Sequence, residues 1–193
     1  DPGAGKATQA AYIAKKYKLL DYDMGRELTI LRNKNKAVEQ AQKRTADKGI
    51  LTPTMIVRKM NQDFITKAPS DKGILFDGHP KMLGEAKLVA GLLKKTKRIN
   101  PLFIYISIPQ SEIINRTTNR QGYKNTNLKS RQDDTIEALE NRARYYRKNI
   151  KEVVEFFSSK YMFQRINGLG TRTEVRAKIQ KVIDKYLKTL PSS

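Results

Sequence analysis

The chain opens with Asp1-Pro2-Gly3-Ala4-Gly5-Lys6-Ala7-Thr8-Gln9-Ala10, and an amphipathic helix is predicted over residues 7–17. Small residues let backbone N–H groups wrap around phosphate oxygens, and the start of a helix adds a favourable dipole. A lysine directly after the last glycine can reach the outer phosphates of a nucleotide. The stretch therefore predicts a phosphate-binding loop, although the pattern G-x-x-x-x-G-K would need its first glycine one position before Asp1.

The composition narrows the classes of protein to which this sequence can belong. Its 193 residues, of which 38% are hydrophobic, are enough for one folded domain and exclude disorder along the whole chain. The absence of cysteine excludes a disulfide framework, a thiolate zinc site and a cysteine nucleophile. No apolar run is long enough to span a bilayer, and no signal or transit peptide is visible. We therefore expect an intracellular protein, cytoplasmic or organellar (mitochondria included), and not a secreted one.

The charge is strongly positive and is spread along the sequence. Lysine and arginine number 39 against 19 acidic residues, which gives a formal net charge of +20. A domain this basic attracts polyanions such as nucleic acid, nucleotides or anionic lipid. The alternative explanation is solubility combined with a general bias toward lysine.

Short apolar runs alternate with helical patterns. Strands are predicted over residues 19–23, 74–78, 102–108 and 161–166. Further helices are predicted over residues 26–33, 37–47, 54–67, 83–95, 111–119 (with Ser111 as the cap), 135–160 and 173–187. This alternation predicts an α/β fold with a parallel sheet.

The opening loop resembles the phosphate loop of adenylate kinases and related nucleoside monophosphate kinases. Further segments resemble motifs of the same family in the same order: Gly49-Ile50-Leu51, Phe76-Asp77-Gly78-His79-Pro80-Lys81, Ile108-Pro109 followed by Arg116 and Arg120, and Arg131-Gln132-Asp133-Asp134 followed by Arg142 and Tyr146. The resemblance covers nearly the whole chain, and several ordered motifs with matching spacing make it specific.

The resemblance implies a three-layer, P-loop NTPase-like α/β fold in a single domain over residues 1–193. Its core would comprise residues 1–22, 61–116 and 134–193. An arm that binds the nucleoside monophosphate would span about residues 23–60, and a short lid about residues 117–133. The middle strand of the family's sheet would precede Asp1, so we expect an upstream segment or a strand from another chain, with residues 74–78 and 102–107 not paired to each other.

The resemblance also implies a set of residues on the ATP side. Those that would bind ATP are Gly3, Ala4, Gly5, Lys6, Ala7, Thr8, Arg116 and Arg120. Those that would act in catalysis are Lys6, Arg120, Arg131 and Arg142, the last two being lid arginines that neutralise the transition state. Asp77 would hold waters bound to Mg²⁺, which arrives with ATP. The short lid without cysteine implies that no zinc is bound there.

The acceptor side departs from the family pattern. Met24 replaces a threonine that touches the base, and Thr29 replaces an arginine that grips the AMP phosphate, although Arg32 follows one helical turn later. Lys81 replaces a second arginine and loses its two-pronged donor. Glu85 replaces the glutamine that reads adenine, and a carboxylate cannot donate a hydrogen bond to the ring nitrogen. His79, in place of a phenylalanine, is interpreted as a packing substitution.

Two functions remain open from the sequence. The first is an ATP-binding protein in which phosphoryl transfer to a nucleoside monophosphate is impaired or altered. The alternative is a non-catalytic subunit of a nucleic-acid-containing assembly, such as a ribosome, that docks on RNA through its basic surface. Docking on an anionic membrane is less favoured, because no basic amphipathic helix with aromatic anchors is visible.

Overall fold

The protein is described here by a computed structural model that covers residues 1–45, 54–98, 100–118 and 136–190. The strands in these ranges are β1 (Leu20–Asp23), β2 (Ile74–Asp77), β3 (Leu102–Ser107) and β4 (Met162–Asn167). The helices are α1 (Lys6–Lys16), α2 (Met24–Lys34), α3 (Lys36–Arg44), α4 (Thr54–Lys67), α5 (Leu83–Lys95), α6 (Gln110–Thr118), α7 (Ile136–Ser158) and α8 (Arg172–Leu187). No helix in the described ranges is long and apolar enough to cross a membrane.

The strands form two parallel pairs. β1 lies beside β2 with Asp23 opposite Asp77, and β3 lies beside β4 with Ser107 opposite Asn167. Within the described residues, β2 and β3 are not hydrogen-bonded to each other, as the resemblance leads one to expect. The backbone nitrogen of Asp1 donates instead to the carbonyl of Ile106, so the opening loop lies alongside β3.

Helices cover both faces of the strands in three layers. On β3, residues 102, 104 and 106 pack into a core cluster with α1 and α8, while residues 103 and 105 pack against α7 on the other face. β2 shows the same alternation, because Leu75 faces α1 whereas Phe76 faces α4. This period of two is the expected pattern for a strand buried on both faces. The fold is therefore the three-layer α/β arrangement predicted from the sequence.

Several helix starts are fixed by short polar side chains. The carboxylate of Asp23 accepts from the backbone nitrogens of Gly25 and Arg26 and caps α2. Thr171 and Glu174 form a reciprocal capping box at α8, which therefore begins before the predicted residue 173.

The prediction that Ser111 caps the helix at residues 111–119 is wrong. α6 begins at Gln110, and the backbone nitrogen of Ile113 already donates to the carbonyl of Pro109. The first turn is thus built on Pro109, which ends the preceding strand, and Ser111 lies inside the helix.

The arm and the lid are described only in part. α2, α3 and the start of α4 fall within the predicted arm, whereas Gly49-Ile50-Leu51 lies outside the described residues. Nearly all of the predicted lid, residues 117–133, also lies outside them. The division into core, arm and lid therefore stays a prediction.

Candidate active site

The opening loop has the backbone shape that its glycines allow. Gly3 and Gly5 adopt positive φ angles of 71° and 78°, which side chains other than glycine rarely tolerate. The Asp1 carboxylate fastens the loop to the end of β3, because it accepts from the backbone nitrogen of Ile108 (2.9 Å) and from the hydroxyl of Tyr105 (2.6 Å). Backbone N–H groups at the start of α1 are thereby presented at the carboxyl end of the strands, where α/β proteins bind ligands.

Lys6 and Asp77 bring opposite charges to the same place. The Lys6 ammonium donates to the carbonyl of Asp1 (2.5 Å), so it folds back over the loop that precedes it. Asp77 ends β2 and is only 8% exposed. Burial raises the pKa of Asp77 to about 6, an effect that Lys6 opposes and that the neighbouring carboxylates of Asp23 and Asp21 reinforce. The carboxylate is thus held ionised at neutral pH at an energetic cost.

A Mg²⁺ ion fits the charge balance at Asp77. A cation beside this carboxylate would relieve both the desolvation and the repulsion from Asp23 and Asp21 that raise its pKa. In the described part of the chain, no three His, Cys, Asp or Glu side chains are grouped closely enough to enclose a metal ion. Magnesium that arrives with a nucleotide is commonly held by one or two carboxylates through its waters, so a single Asp77 suits that mode of binding.

Arg116 lies in α6 beside the turn that follows β4. Its Nε donates to Glu112 (2.7 Å), and its Nη1 donates to the carbonyl of Gly168 (3.2 Å). The turn at Gly168 packs tightly against β3, since a Cβ there would lie 2.8 Å from a methyl group of Ile106. These bonds hold the guanidinium half-buried beside the turn that follows β4.

The structure brings together only part of the predicted ATP-side set. The residues that it places around the loop and the strand ends are Gly3, Ala4, Gly5, Lys6, Ala7, Thr8 and Asp77. Arg120 and Arg131 lie outside the described residues. Arg142 lies in α7, but its side chain is outside what the structure describes.

On the acceptor side, the side chains of two residues of α2, Met24 and Thr29, contact other parts of the protein. Met24 is buried in a cluster with Tyr22 and Val57. The Thr29 hydroxyl donates to the carbonyl of Gly25 (2.9 Å), one turn back in its own helix. This short side chain therefore presents no cation to a phosphate. Arg32, one turn beyond Thr29 in the same helix, is half-buried.

Glu85 is directed into the protein. It is 2% exposed, and its Oε2 accepts from the backbone nitrogen of Lys81 (3.1 Å), so it fastens the loop that precedes α5. Burial raises the pKa of Glu85, although the backbone hydrogen bonds from Lys81 and Met82 oppose this. The Glu85 carboxylate is therefore engaged in a hydrogen bond with the loop before α5 and does not face solvent.

His79 joins Glu85 to a residue that the sequence analysis did not consider. Asn61 Nδ2 lies 2.7 Å from His79 Nε2, and His79 Nδ1 lies 3.6 Å from Glu85 Oε2. An amide nitrogen can only donate, so Nε2 accepts and the proton resides on Nδ1, facing the carboxylate. Burial lowers the pKa of His79 to about 3, so the ring is neutral. The interpretation of His79 as a packing residue agrees with this geometry, with polar partners in place of apolar ones.

Sequence reasoning missed Asn61 and the anchoring role of Asp1. Asn61 could have been noticed, because it lies on the buried stripe of α4 between Val57 and Ile65 and is fully buried. The bonds from Asp1 to Tyr105 and Ile108 join residues more than 100 positions apart, and no local pattern signals them.

Comparisons with known proteins agree with this arrangement. A family model described as "Adenylate kinase" matches residues 1–162. An adenylate kinase of Azobacteroides pseudotrichonymphae is 31% identical over 186 residues, which cover 95% of this chain and 93% of the relative. Adenylate kinases of Leptospira biflexa and Porphyromonas gingivalis are 28% and 26% identical, and each match covers at least 94% of both chains. The protein therefore belongs to the adenylate kinase family.

Proposed function

We propose that the protein binds ATP with Mg²⁺ and transfers its terminal phosphoryl group poorly, or to an acceptor other than AMP. The observation that carries this proposal is that two side chains at acceptor positions form hydrogen bonds within the protein. The Thr29 hydroxyl donates to the Gly25 carbonyl, and the Glu85 carboxylate accepts from the Lys81 backbone nitrogen. The ATP side, by contrast, keeps the loop, its lysine and a buried carboxylate.

On the ATP side, the loop amides and the Lys6 ammonium are suited to hold the β- and γ-phosphates. Lys6 now donates to the Asp1 carbonyl, and a phosphate oxygen carrying negative charge is a stronger acceptor than that carbonyl. Arg116, which is held against the turn after β4, is the residue proposed to pack on the base of ATP. Arg120, Arg131 and Arg142 complete the proposed set as donors that stabilise charge on the phosphoryl group during transfer.

Asp77 is the residue proposed to orient Mg²⁺ through its waters. When bound, the ion would neutralise charge on the phosphates. Because burial keeps Asp77 in a site of low dielectric, its charge acts on the ion more strongly than it would in water.

On the acceptor side, a phosphate would meet Lys81 and Arg32 in place of two family arginines. A lysine offers a point charge without the paired donors of a guanidinium. A charge-assisted hydrogen bond contributes roughly 1.5–3 kcal/mol, so the loss of two lowers AMP affinity by on the order of a hundredfold or more. Reading of adenine is weakened as well, since Glu85 is bonded to its own loop.

A steady-state assay of the full chain with MgATP and each of AMP, GMP, CMP and UMP tests this proposal. We expect a kcat/KM for AMP that is lower by at least about a hundredfold than that of an ordinary family member assayed in parallel. AMP turnover equal to that of the family member would refute it. A catalytically inactive protein that still binds MgATP would support the proposed ATP binding and would contradict phosphoryl transfer to any of the four acceptors.

The second candidate function, docking on RNA, is favoured by the net charge of +20, which a small metabolic kinase does not require. It is compatible with ATP binding, because the two would use different surfaces. An intracellular location, cytoplasmic or organellar, belongs to the same proposal, since ATP and RNA are both found there.

A further inference from the structure

Positive charge is concentrated at the end of the molecule opposite the candidate active site. Five segments meet at this end, where the strands begin and several helices finish: residues 15–19, 67–73, 94–101, 158–161 and 184–190. Their described residues carry twelve basic side chains: Lys15, Lys16, Lys18, Lys67, Lys72, Lys94, Lys95, Lys97, Arg98, Lys160, Lys185 and Lys188. They carry two carboxylates, Asp71 and Asp184, so half of the formal net charge of +20 lies on this surface, which we call the basal face.

Hydrogen bonds join four of these segments, and the fifth, residues 158–161, lines a common cleft with Asn100 and Tyr186. Three bonds join neighbouring segments: the Arg98 guanidinium to the Ala68 carbonyl (3.0 Å), the Tyr186 hydroxyl to the Asn100 carbonyl (2.6 Å), and the Tyr17 hydroxyl to the Asp184 carboxylate (2.7 Å). The basic residues are therefore held on a common frame, although they are far apart in sequence.

The lysines of the basal face are exposed, and no ion pair within 4.0 Å joins them to a carboxylate that the structure describes. The helix dipole favours lysine in the last turn of a helix and explains part of the pattern. It does not explain Lys18, Lys72, Lys97 and Lys160, which lie in the connections between helices and strands. Their shared position leaves a concentrated and uncompensated positive field.

The basal face also contains a cleft of about 320 Å³ between the ends of α7 and α8. Its lining includes Asn100, Ser158, Ser159, Tyr161, Tyr186 and Thr189. The hydroxyls of Ser158, Ser159 and Thr189 donate to nearby carbonyls and keep lone pairs that can accept. Exposed Asn100 adds an amide that both donates and accepts, so the cleft can pair with the edge of a nucleobase.

We propose that the basal face binds single-stranded RNA, with phosphates on the lysines and one unstacked base in the cleft beside Asn100. This inference rests on the second proposed function and gives it a location. Lysine suits phosphate contacts that do not depend on sequence, and tyrosines beside a positive groove are typical of proteins that hold single strands.

The apolar side chains of this surface argue against a membrane as the partner. Of the exposed large hydrophobic residues in the described part of the chain, only Leu187, which is 44% exposed, lies at the basal face. Stable attachment to a bilayer requires several apolar or aromatic anchors next to the basic residues. The apolar and aromatic residues of the cleft, Tyr161, Met162 and Tyr186, are half-buried and do not project from the surface as anchors.

The test measures binding of a fluorescent RNA strand of about 12 nucleotides by anisotropy, between about 50 and 200 mM salt. The triple variant Lys94→Gln, Lys95→Gln, Lys97→Gln removes three charges from the basal face. The matched control Lys34→Gln, Lys36→Gln, Lys43→Gln removes three exposed charges from α2 and α3. We expect the first variant to reduce the slope of log K against log salt by about 2, the control to leave it unchanged, and MgATP affinity of the first to stay as in the wild type.

Each other outcome overturns a defined part of the proposal. Wild-type protein that fails to bind RNA removes both the docking function and its location. Equal losses of RNA affinity in the two triple variants would support docking on RNA but would contradict its location at the basal face. Binding to vesicles with anionic lipid as tight as binding to RNA, or equal binding of a DNA strand of the same sequence, removes RNA as the specific ligand.

The cleft has its own variant. Asn100→Ala should weaken RNA binding severalfold without changing the salt slope, because it removes a contact to a base and no charge. An RNA strand with abasic positions should bind the wild type and this variant equally. Unchanged affinity of Asn100→Ala for the ordinary strand would contradict the seating of a base.

Discussion

Restoring guanidinium groups at the acceptor positions should raise AMP turnover. In the double variant Thr29→Arg with Lys81→Arg, position 29 is exposed on α2, so an arginine there loses only the bond from Thr29 to Gly25. Position 81 is half-buried at the loop before α5, and its backbone bond to Glu85 is unaffected by the side chain. Each restored charge-assisted bond contributes roughly 1.5–3 kcal/mol, so the two together should raise kcat/KM for AMP by on the order of a hundredfold or more.

The control variant for this experiment is Ile30→Arg. Ile30 is 42% exposed and neighbours Thr29 on a different side of α2, so the variant adds the same charge without directing it to the same place. A coupled assay over a range of AMP concentrations at saturating MgATP separates kcat from KM. If the double variant is folded, binds MgATP and gains no more than Ile30→Arg, the assignment of positions 29 and 81 to the acceptor phosphate is wrong.

Three further predictions follow from the buried polar groups and the loop. Burial raises the pKa of Asp77 in the folded protein to about 6, so ionisation of this carboxyl lowers the free energy of unfolding as pH rises from about 4 through 6. Asp77→Asn removes that penalty and should stabilise the nucleotide-free protein by about 1–3 kcal/mol at neutral pH. Urea unfolding should show a flatter pH dependence over that window, and an unchanged profile would contradict it. Lys6→Ala should weaken MgATP binding roughly ten- to a hundredfold in calorimetry, while Lys15→Ala, at the exposed end of the same helix, should not. His79→Phe should cost about 1–3 kcal/mol of unfolding free energy by leaving the buried Asn61 amide unbonded, and Asn61→Val should recover much of that loss, so additive effects of the two changes would exclude the pairing.

The sequence was sufficient for the order of elements and for the loop, because both depend on local patterns. Helices α4 and α5 have the predicted bounds, because the spacing of apolar residues and the neighbouring helix-breaking residues determine where these helices begin and end. The start of α8 was placed one residue late, although the capping pattern Thr171-x-x-Glu174 was visible in the sequence. The start of α6 was also placed one residue late, because Ser111 was interpreted as the cap of a helix whose first turn is already set by Pro109.

The orientation of Glu85 could not be predicted in the same way. The sequence shows that a glutamate replaces a glutamine, but it does not show that the carboxylate turns back onto Lys81 and faces His79. Nor does it show that Asn61, 18 positions before His79, completes the chain of contacts. Such networks depend on how α4 packs against the loop before α5, which is a property of the tertiary structure.

The central claim, an intact ATP side beside a weakened AMP side, is tested most directly by calorimetric titration of AMP into wild-type protein saturated with a non-hydrolysable MgATP analogue. The analogue fills the ATP side, so the heat reports the acceptor side alone. We predict that AMP binds at least about a hundredfold more weakly than it binds an ordinary family member titrated in the same way. AMP binding as tight as in that family member would contradict the account.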